Sequence, residues 1–390
     1  MLKVCYVLST SENSGGANRS LLELLTRIDR HAVEPVVLMR RHGSMEEELN
    51  RLSIPFAVIP FINAVTTGNV LKDMLKRRTA SIHQPRIEAF LKDNQVDLLH
   101  NNSMPALAGM EAACRCGIPY ICHLREDVEK GLGNQFLDKE KHLRIAGKAD
   151  RVIAVSEFIK EAYKTNIDDI DVIYDGVDTG SYLEKKEILR SNPLTVSIYG
   201  NLDRQKGQMV AVKALEHLQS HDGDSITLRI IGNLNTKYGN DVIGYVRDRS
   251  IKDIEFIHTI QDKEELRAVR RQDDIELVCS SAEGLGRVTI ESMLAGCLTI
   301  GADAGATGEI IRDGETGLLF ERDDHVALAE RILYAAENRS EMREIAKRGQ
   351  QSALETFDAD SFADRMQAVY DEIICGHDGH SENAGKRTEQ

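Results

Sequence analysis

Short apolar, β-branched runs alternate along this chain with stretches whose apolar residues recur at helical spacing. That alternation restricts the fold more than any other feature of the sequence. In the first half the runs are KVCYVLS, EPVVLM, PFAVIP, VDLLH, PYICH and DRVIAVS, and in the second LTVSIYG, ITLRIIG, IEFIH, IELVCS, CLTIGA and GLLF. Between them lie segments such as ANRSLLELLTRI and PALAGMEAACRCG, whose spacing is that of a helix with one apolar face. Buried strands alternating with helices build parallel, doubly wound sheets. A chain of 390 residues exceeds what a single core supports, so the pattern predicts an α/β protein of two such domains. The first is expected over 1–170 and the second over 194–357, joined by a linker over 171–193 in the Asp-rich, weakly patterned stretch from Asp168 to Pro193. A last helix over 358–375 is expected to pack back toward the first domain, and the polar tail over 376–390, too poor in apolar residues to pack, is expected to be disordered.

Composition narrows the function classes. The seven cysteines are odd in number and several sit in apolar runs, which fits a reducing compartment. Cys114 and Cys116 stand too close together for a zinc-binding pair. The start MLKVCYVLSTSENSGG lacks the charged lead and cleavage site of a secretion signal, and nowhere do about 18 apolar residues run together. A cytoplasmic protein is therefore expected. The net charge of -14 is uneven, because the first 170 residues carry +1 and the remainder -15. An acidic second half argues against nucleic acid as a partner. A phosphorylated small molecule bound there needs a local positive site set against that background.

Ligands of doubly wound sheets bind beyond the carboxyl ends of the strands, so turns that follow strands are the places to look. After KVCYVLS, Gly15 and Gly16 precede a helix expected near Ala17; bare backbone at a helix start suits a phosphate, and a turn that needs glycine only for its dihedrals suits the sequence equally. After LTVSIYG, the turn NLDRQKGQ brings Arg204 and Lys206 to the mouth of the second sheet, where two cations would oppose a diphosphate or equally stand as solvated surface charge. The strongest signal is CSSAEGLGRVTIESMLAG, which reads as strand, turn and helix. A helix starting near Arg287 aims its amides and partial positive charge at the strand ends. Glu291 lies one turn inside it and leans back toward that end, where its carboxylate can accept from the two hydroxyls of a ribose. Glu283, at the strand end, can do the same for a sugar, or serve as a helix cap. In the later segment GADAGATGEIIRDGETGLLF, the glycines make turns and the carboxylates read as structural caps.

The series SGGANR, HLRED, AVSEFIKE, IYDGVDT, GNLDRQKG, EGLGRVTIESMLAG and GATGEIIRDGETGLLF resembles the retaining glycosyltransferases of family 4 over residues 1 to about 375. The resemblance implies a GT-B fold, two doubly wound Rossmann-like domains facing a central cleft. Its most specific part is an E-x7-E motif, matched by Glu283 and Glu291. By resemblance Glu283 contacts hydroxyls of the donor sugar, Glu291 holds the ribose, and the amides of Leu285, Gly286, Arg287 and Val288 meet the diphosphate. Gly16 would meet it from the other domain, Lys206 matches a phosphate-binding lysine, and His123 matches a histidine near the reacting sugar. Many members carry arginine directly after the first glycine of GxLxxxKG, where this chain has Asn201; Arg204 stands three residues on.

The implied reaction moves a hexosyl unit from a nucleotide-diphosphate sugar, with UDP or GDP the expected carriers, to a carbohydrate, lipid-linked or small-molecule acceptor. It retains the anomeric configuration and uses no cofactor. The triplets at Asp169–Asp171 and Asp358–Asp360 match the metal-binding DxD in form, but one falls in the linker and the other caps the last helix, so no metal is expected. Lys72, Lys76, Arg77 and Arg78 read as a solvated helix face, with contact to an anionic membrane surface or an acidic acceptor as the alternative. A sugar-nucleotide epimerase and a non-catalytic sugar-nucleotide binder share the two-domain layout. A nicotinamide dehydrogenase lacks its GxGxxG fingerprint here.

Overall fold

The computed structural model of the chain describes residues 1–385 apart from 14, 132, 185, 191 and 221–225, and gives only the backbone for 378–385. The chain divides into two compact units: Met1–Gly176 with the segment from Ala359 onward, and Val177–Asp358.

The first unit holds a seven-stranded parallel sheet of β1 Leu2–Val7, β2 Val33–Met39, β3 Phe56–Val58, β4 Leu98–Asn101, β5 Tyr120–Leu124, β6 Arg151–Ala154 and β7 Ile170–Val172, in the order β3-β2-β1-β4-β5-β6-β7. Strand β1 lies between β2 and β4, with Leu2 opposite Val33 and Val4 opposite Leu98, and Val4 to Val7 have no exposed surface. Such strands are apolar on both faces because helices cover both sides of a parallel sheet. The second unit repeats the plan with β8 Leu194–Tyr199, β9 Ile226–Gly232, β10 Ile254–His258, β11 Ile275–Val278, β12 Leu298–Ala302 and β13 Leu318–Phe320, ordered β10-β9-β8-β11-β12-β13. Its core joins these strands to Leu215 and Leu218 of helix Gln208–Gln219 and to Leu328 and Ile332 of helix His325–Glu337. In each sheet the order reverses once, between β1 and β4 and between β8 and β11. The strand ends part at such a reversal, which makes it the expected ligand position.

All twelve apolar runs form strands. The segment read from sequence as linker contains a further one, β7, which pairs with β6 from Val152 opposite Ile170. It escapes a hydropathy pattern because it is a three-residue edge strand with Asp171 exposed to solvent. A short helix, Thr179–Tyr182, follows in the same segment. The last helix, Ala359–Gly385, continues past Cys375, and residues 386–390 of the expected tail lie outside the described residues. Its Phe362, Met366, Tyr370 and Ile373 share a core with Val4 and Tyr6 of β1 and with Leu21, Leu24 and Leu25 of helix Gly16–Arg27, so the end of the chain completes the first unit. Among the described residues no helix is long and apolar enough to cross a membrane, and all seven cysteines are unpaired.

Phe362, on the inward face of this helix, is fully buried. Phe362→Ala is expected to cost the first unit about 3–5 kcal/mol, from lost burial plus the cavity left behind. Urea unfolding followed by circular dichroism checks this; a loss below about 1 kcal/mol would mean that the helix does not complete the core.

Candidate functional site

In the second unit the turns after β8 and β11 are locked together. Beyond β8 the side chain of Asp203 accepts from the amides of Gln205 and Lys206 at 2.9 and 3.1 Å, shaping a one-turn 3-10 helix over Arg204–Lys206. Gly207 then takes φ 70°, and a Cβ there would fall 2.2 Å from the carbonyl oxygen of Cys279, just past β11. The amide of Ser281 donates to the Gln205 carbonyl at 2.9 Å. The two turns therefore lie backbone against backbone, and Lys206 meets Glu283 with Nζ 2.5 Å from Oε1.

This pair is partly exposed, with side-chain exposures of 29% for Lys206 and 17% for Glu283. Burial works against the charge of Lys206, but Glu283, Asp203 and Glu291 outweigh it and raise the pKa, so the ammonium is retained at neutral pH. The backbone of Glu283 is held from the far side by the second glycine run. Ala306 donates to the Glu283 carbonyl at 3.0 Å, and a Cβ on Gly305 would fall 2.6 Å from the Glu283 nitrogen. Glu283 and Gly305 of one segment thus serve the same turn.

That turn ends in Gly286, at φ 80°, and the helix Arg287–Leu294 begins directly after it. The first amides of a helix lack partners within it and carry its positive pole, which faces back along the axis toward the preceding turn. Leu285 and Gly286 are buried, Arg287 and Val288 half-buried. A small cavity is lined by Tyr199, Lys206, Cys279, Ser280, Glu283 and Val288, at the ends of β8 and β11.

Glu291 is 5% exposed. Its carboxylate lies 3.6 Å from Nη1 of Arg270 and 3.9 Å from Nε of Arg287. These are ion pairs beyond hydrogen-bond length, so both oxygens retain acceptor capacity. Arg270 is the organising group. It is buried, makes a bidentate pair with Glu276 of β11 at 3.0 Å through Nε and Nη2, and stacks 4.4 Å from the ring centre of Tyr199. Burial works against its charge, but Glu276 and Glu291 prevail and raise its pKa further. Burial pushes Glu276 up to about 7 against the pull of Arg270. Neither Arg270 nor Glu276 stands out by motif, although a glutamate inside the apolar strand IELV is a signal in itself, since a buried carboxylate needs a partner.

The remaining predicted residues separate. Arg204 is 83% exposed, and its ion pair is with Asp241 at 4.0 Å rather than with the Lys206 cluster. Asn201 is exposed, and its carbonyl accepts from Gln208. Gly15 caps the helix Gly16–Arg27 in the first unit, exposed, with open space where a side chain would stand. Of the two DxD triplets, Asp171 sits on β7 and pairs with Arg151 at 3.0 Å. Among the described residues no group of three metal-ligating side chains converges.

His123, on β5 of the first unit, is fully buried. Its Nδ1 lies 3.0 Å from Nε2 of His100 and 3.4 Å from Nη2 of Arg125; His100 Nδ1 lies 2.8 Å from the hydroxyl of Tyr370. Arginine can only donate, so Nδ1 of His123 is the acceptor and the neutral ring carries its proton on Nε2. Burial, then Arg125 and His100, hold the pKa of His123 well below the usual histidine value, and burial and Arg125 bring His100 to about 3. Nε2 of His123 has no hydrogen-bond partner among the described residues. Arg125 is itself fixed by Asn102 at 3.1 Å and by the buried carboxylate of Asp175.

Two family models match adjoining parts of the chain, one described as Glycosyltransferase Family 4 over residues 14–181 and one as Glycosyl transferases group 1 over residues 182–352. Among curated proteins, an uncharacterized glycosyltransferase of Methanocaldococcus jannaschii is 24% identical over 73% of this chain and 77% of its own length. A D-inositol 3-phosphate glycosyltransferase of Xylanimonas cellulosilytica is 23% identical over 92% of each. Among solved structures, HepE of Anabaena in complex with UDP-glucose superposes with a TM-score of 0.76 at 22% identity, covering 95% of this chain and all of HepE. At that identity the likeness shows a shared GT-B architecture.

Removing one partner from a buried ion pair leaves the other charge uncompensated. Arg270→Met is therefore expected to cost the second unit about 3–5 kcal/mol, and adding Glu276→Gln should return part of it. Thermal unfolding of the two variants checks this; equal midpoints for wild type and Arg270→Met would contradict it.

Proposed function

The chain belongs to the glycosyltransferases of family 4, and from that premise we propose that it transfers a hexosyl unit, with retention of configuration, from a UDP- or GDP-sugar to a carbohydrate, lipid-linked or small-molecule acceptor. Support comes above all from one observation, the charged Lys206 beside Glu283 at the strand reversal of the second sheet, directly before the helix Arg287–Leu294. The ligand of the HepE complex is UDP-glucose, which favours a uridine carrier.

In the proposed complex the diphosphate lies against the helix start at Leu285 to Val288, with Lys206 as its counter-charge. Glu291 accepts from the ribose hydroxyls, and Glu283 accepts from hydroxyls of the transferred sugar. The acceptor oxygen attacks the anomeric carbon as the bond from that carbon to the phosphate oxygen breaks, and the acceptor's proton passes to the departing phosphate. Negative charge develops on that phosphate, so stabilising it is the protein's largest contribution. Lys206 supplies it without a metal ion. Glu283 is the group that Lys206 holds before substrate arrives, and the pair opens when the ammonium turns to phosphate. In the first unit, the proton on Nε2 of the neutral His123 is assigned to a substrate oxygen. Gly15 and Gly16 leave the start of their helix bare for an anion. Arg204, on its exposed turn, adds longer-range attraction for the donor. Synthesis of a glycan or glycoconjugate in the cytoplasm fits unpaired cysteines and a sugar-nucleotide donor.

With UDP-glucose as donor, Lys206→Ala is expected to lower kcat by about 10²–10³-fold, the loss typical of one donor to a developing anion. Glu291→Ala is expected to weaken UDP binding about tenfold, as for a lost pair of hydrogen bonds. Initial rates and calorimetric titration check both, and proton NMR of the product reports the anomeric configuration. Unchanged kinetics in Lys206→Ala would remove it from the site, an inverted product would overturn retention, and loss of activity in chelator would overturn metal independence.

A further inference from the structure

The helix Val70–Thr79 of the first unit is mounted with its apolar face outward. It contains no buried residue. A helix turns about 100° per residue, which puts Asp73 and Lys76 on one face and Val70, Leu71, Met74 and Leu75 on the opposite one. The polar face is the attached one. Asp73 accepts from the amide and hydroxyl of Thr67, each at 2.8 Å, and Lys76 donates to the carbonyl of Val65 at 2.8 Å. The segment holding them is tied in turn to the body by a bridge between Val65 and Phe136. The outer face leaves Val70, Leu71 and Leu75 exposed by 75%, 78% and 62%, with Met74 at 48% and Ile82 close behind at 61%. Globular proteins mount surface helices the other way round, apolar side inward.

We propose that this face is a docking surface for an anionic lipid bilayer. The choice of occupant follows from the charges. Arg78 lies within the apolar stripe, and the exposed Lys72 and Arg77 border it on either side. Cationic side chains with long aliphatic stems can lie along an apolar surface that enters the acyl boundary while their charges stay at the headgroups. A two-fold contact with a second copy would bring Lys72, Arg77 and Arg78 of both helices to one interface, with no acidic residue on the stripe to offset them. A membrane surface carrying negative headgroups meets the apolar stripe and its basic border together. The proposal concerns the first unit alone and stands apart from donor binding.

Co-sedimentation of the full chain with vesicles of phosphatidylcholine, and of phosphatidylcholine with roughly one third phosphatidylglycerol, tests it. Binding to the anionic vesicles is expected, at least tenfold above the neutral ones, and is expected to weaken when salt is raised from about 0.1 M to 0.5 M. Leu71→Ser with Leu75→Ser, and separately Arg77→Ser with Arg78→Ser, should each lower partitioning about tenfold or more. All four residues are exposed, and circular dichroism with thermal unfolding of each variant serves as the control for folding. Wild-type protein that stays in the supernatant, variants that bind as the wild type does, or equal binding to neutral vesicles would each overturn the proposal. So would light scattering that shows a dimer lost in the Leu71→Ser, Leu75→Ser variant without any lipid binding.

Discussion

The ion pair between Lys206 and Glu283 joins the two turns that follow β8 and β11, and the rest of the candidate site is arranged around it. It exists because two backbones approach so closely that only glycine fits at position 207. The sheet order reverses between those two strands, so the pair stands where a doubly wound sheet opens. In a region of the chain with strong net negative charge, an anionic ligand would be repelled at long range. A retained ammonium and the positive pole of the helix Arg287–Leu294 concentrate the opposite sign in a few ångströms. Glu283 keeps the ammonium in place and partly neutralised.

Behind this surface lies a buried chain of charges, Glu276, Arg270 and Glu291, that packing alone would not explain. A buried arginine is tolerated only with its charge compensated, and here the bidentate pair with Glu276 and the ring of Tyr199 provide that. The same guanidinium reaches Glu291 at a distance too long for a hydrogen bond. The carboxylate is thereby kept close to positive charge and in one place, while its oxygens stay available to hydroxyl donors. Preorganisation of this kind moves the cost of orienting such a group from the moment of any binding to folding.

Much of this was legible in the sequence, for identifiable reasons. Parallel strands covered by helices write apolar runs, so all twelve were visible, and the turns after β8 and β11 that form the candidate site stood out by their glycines. The spacing of Glu283 and Glu291 placed one carboxylate at the strand end and one a helical turn beyond, as the structure has them. What was hidden depends on contacts distant in sequence. β7 is an edge strand whose pairing with β6, rather than its hydropathy, makes it a strand. Arg270 reads as one of several charges in a polar helix until the fold brings Glu276 and Glu291 to it. Arg204 follows a core strand as expected, yet the 3-10 turn sends it outward while Lys206, two residues on, turns in. The hydrogen-bonded series of Tyr370, His100 and His123 joins a residue of the last helix to two strands, a link that no local pattern carries. The outward-facing helix Val70–Thr79 shows the same limit. Its composition is plain in the sequence, but which face is attached depends on Val65 and Thr67.

In the proposed complex, peptide amides after Glu283, together with Lys206, hold a nucleotide diphosphate in the second unit while Glu291 grips its ribose. A crystal of the protein soaked with UDP tests it most directly. Phosphate oxygens are expected within hydrogen-bond distance of Nζ of Lys206 and of the amides between Leu285 and Val288, with both ribose hydroxyls on the carboxylate of Glu291. Ordered UDP elsewhere in the chain, with the Lys206 and Glu283 pair unchanged, would contradict it.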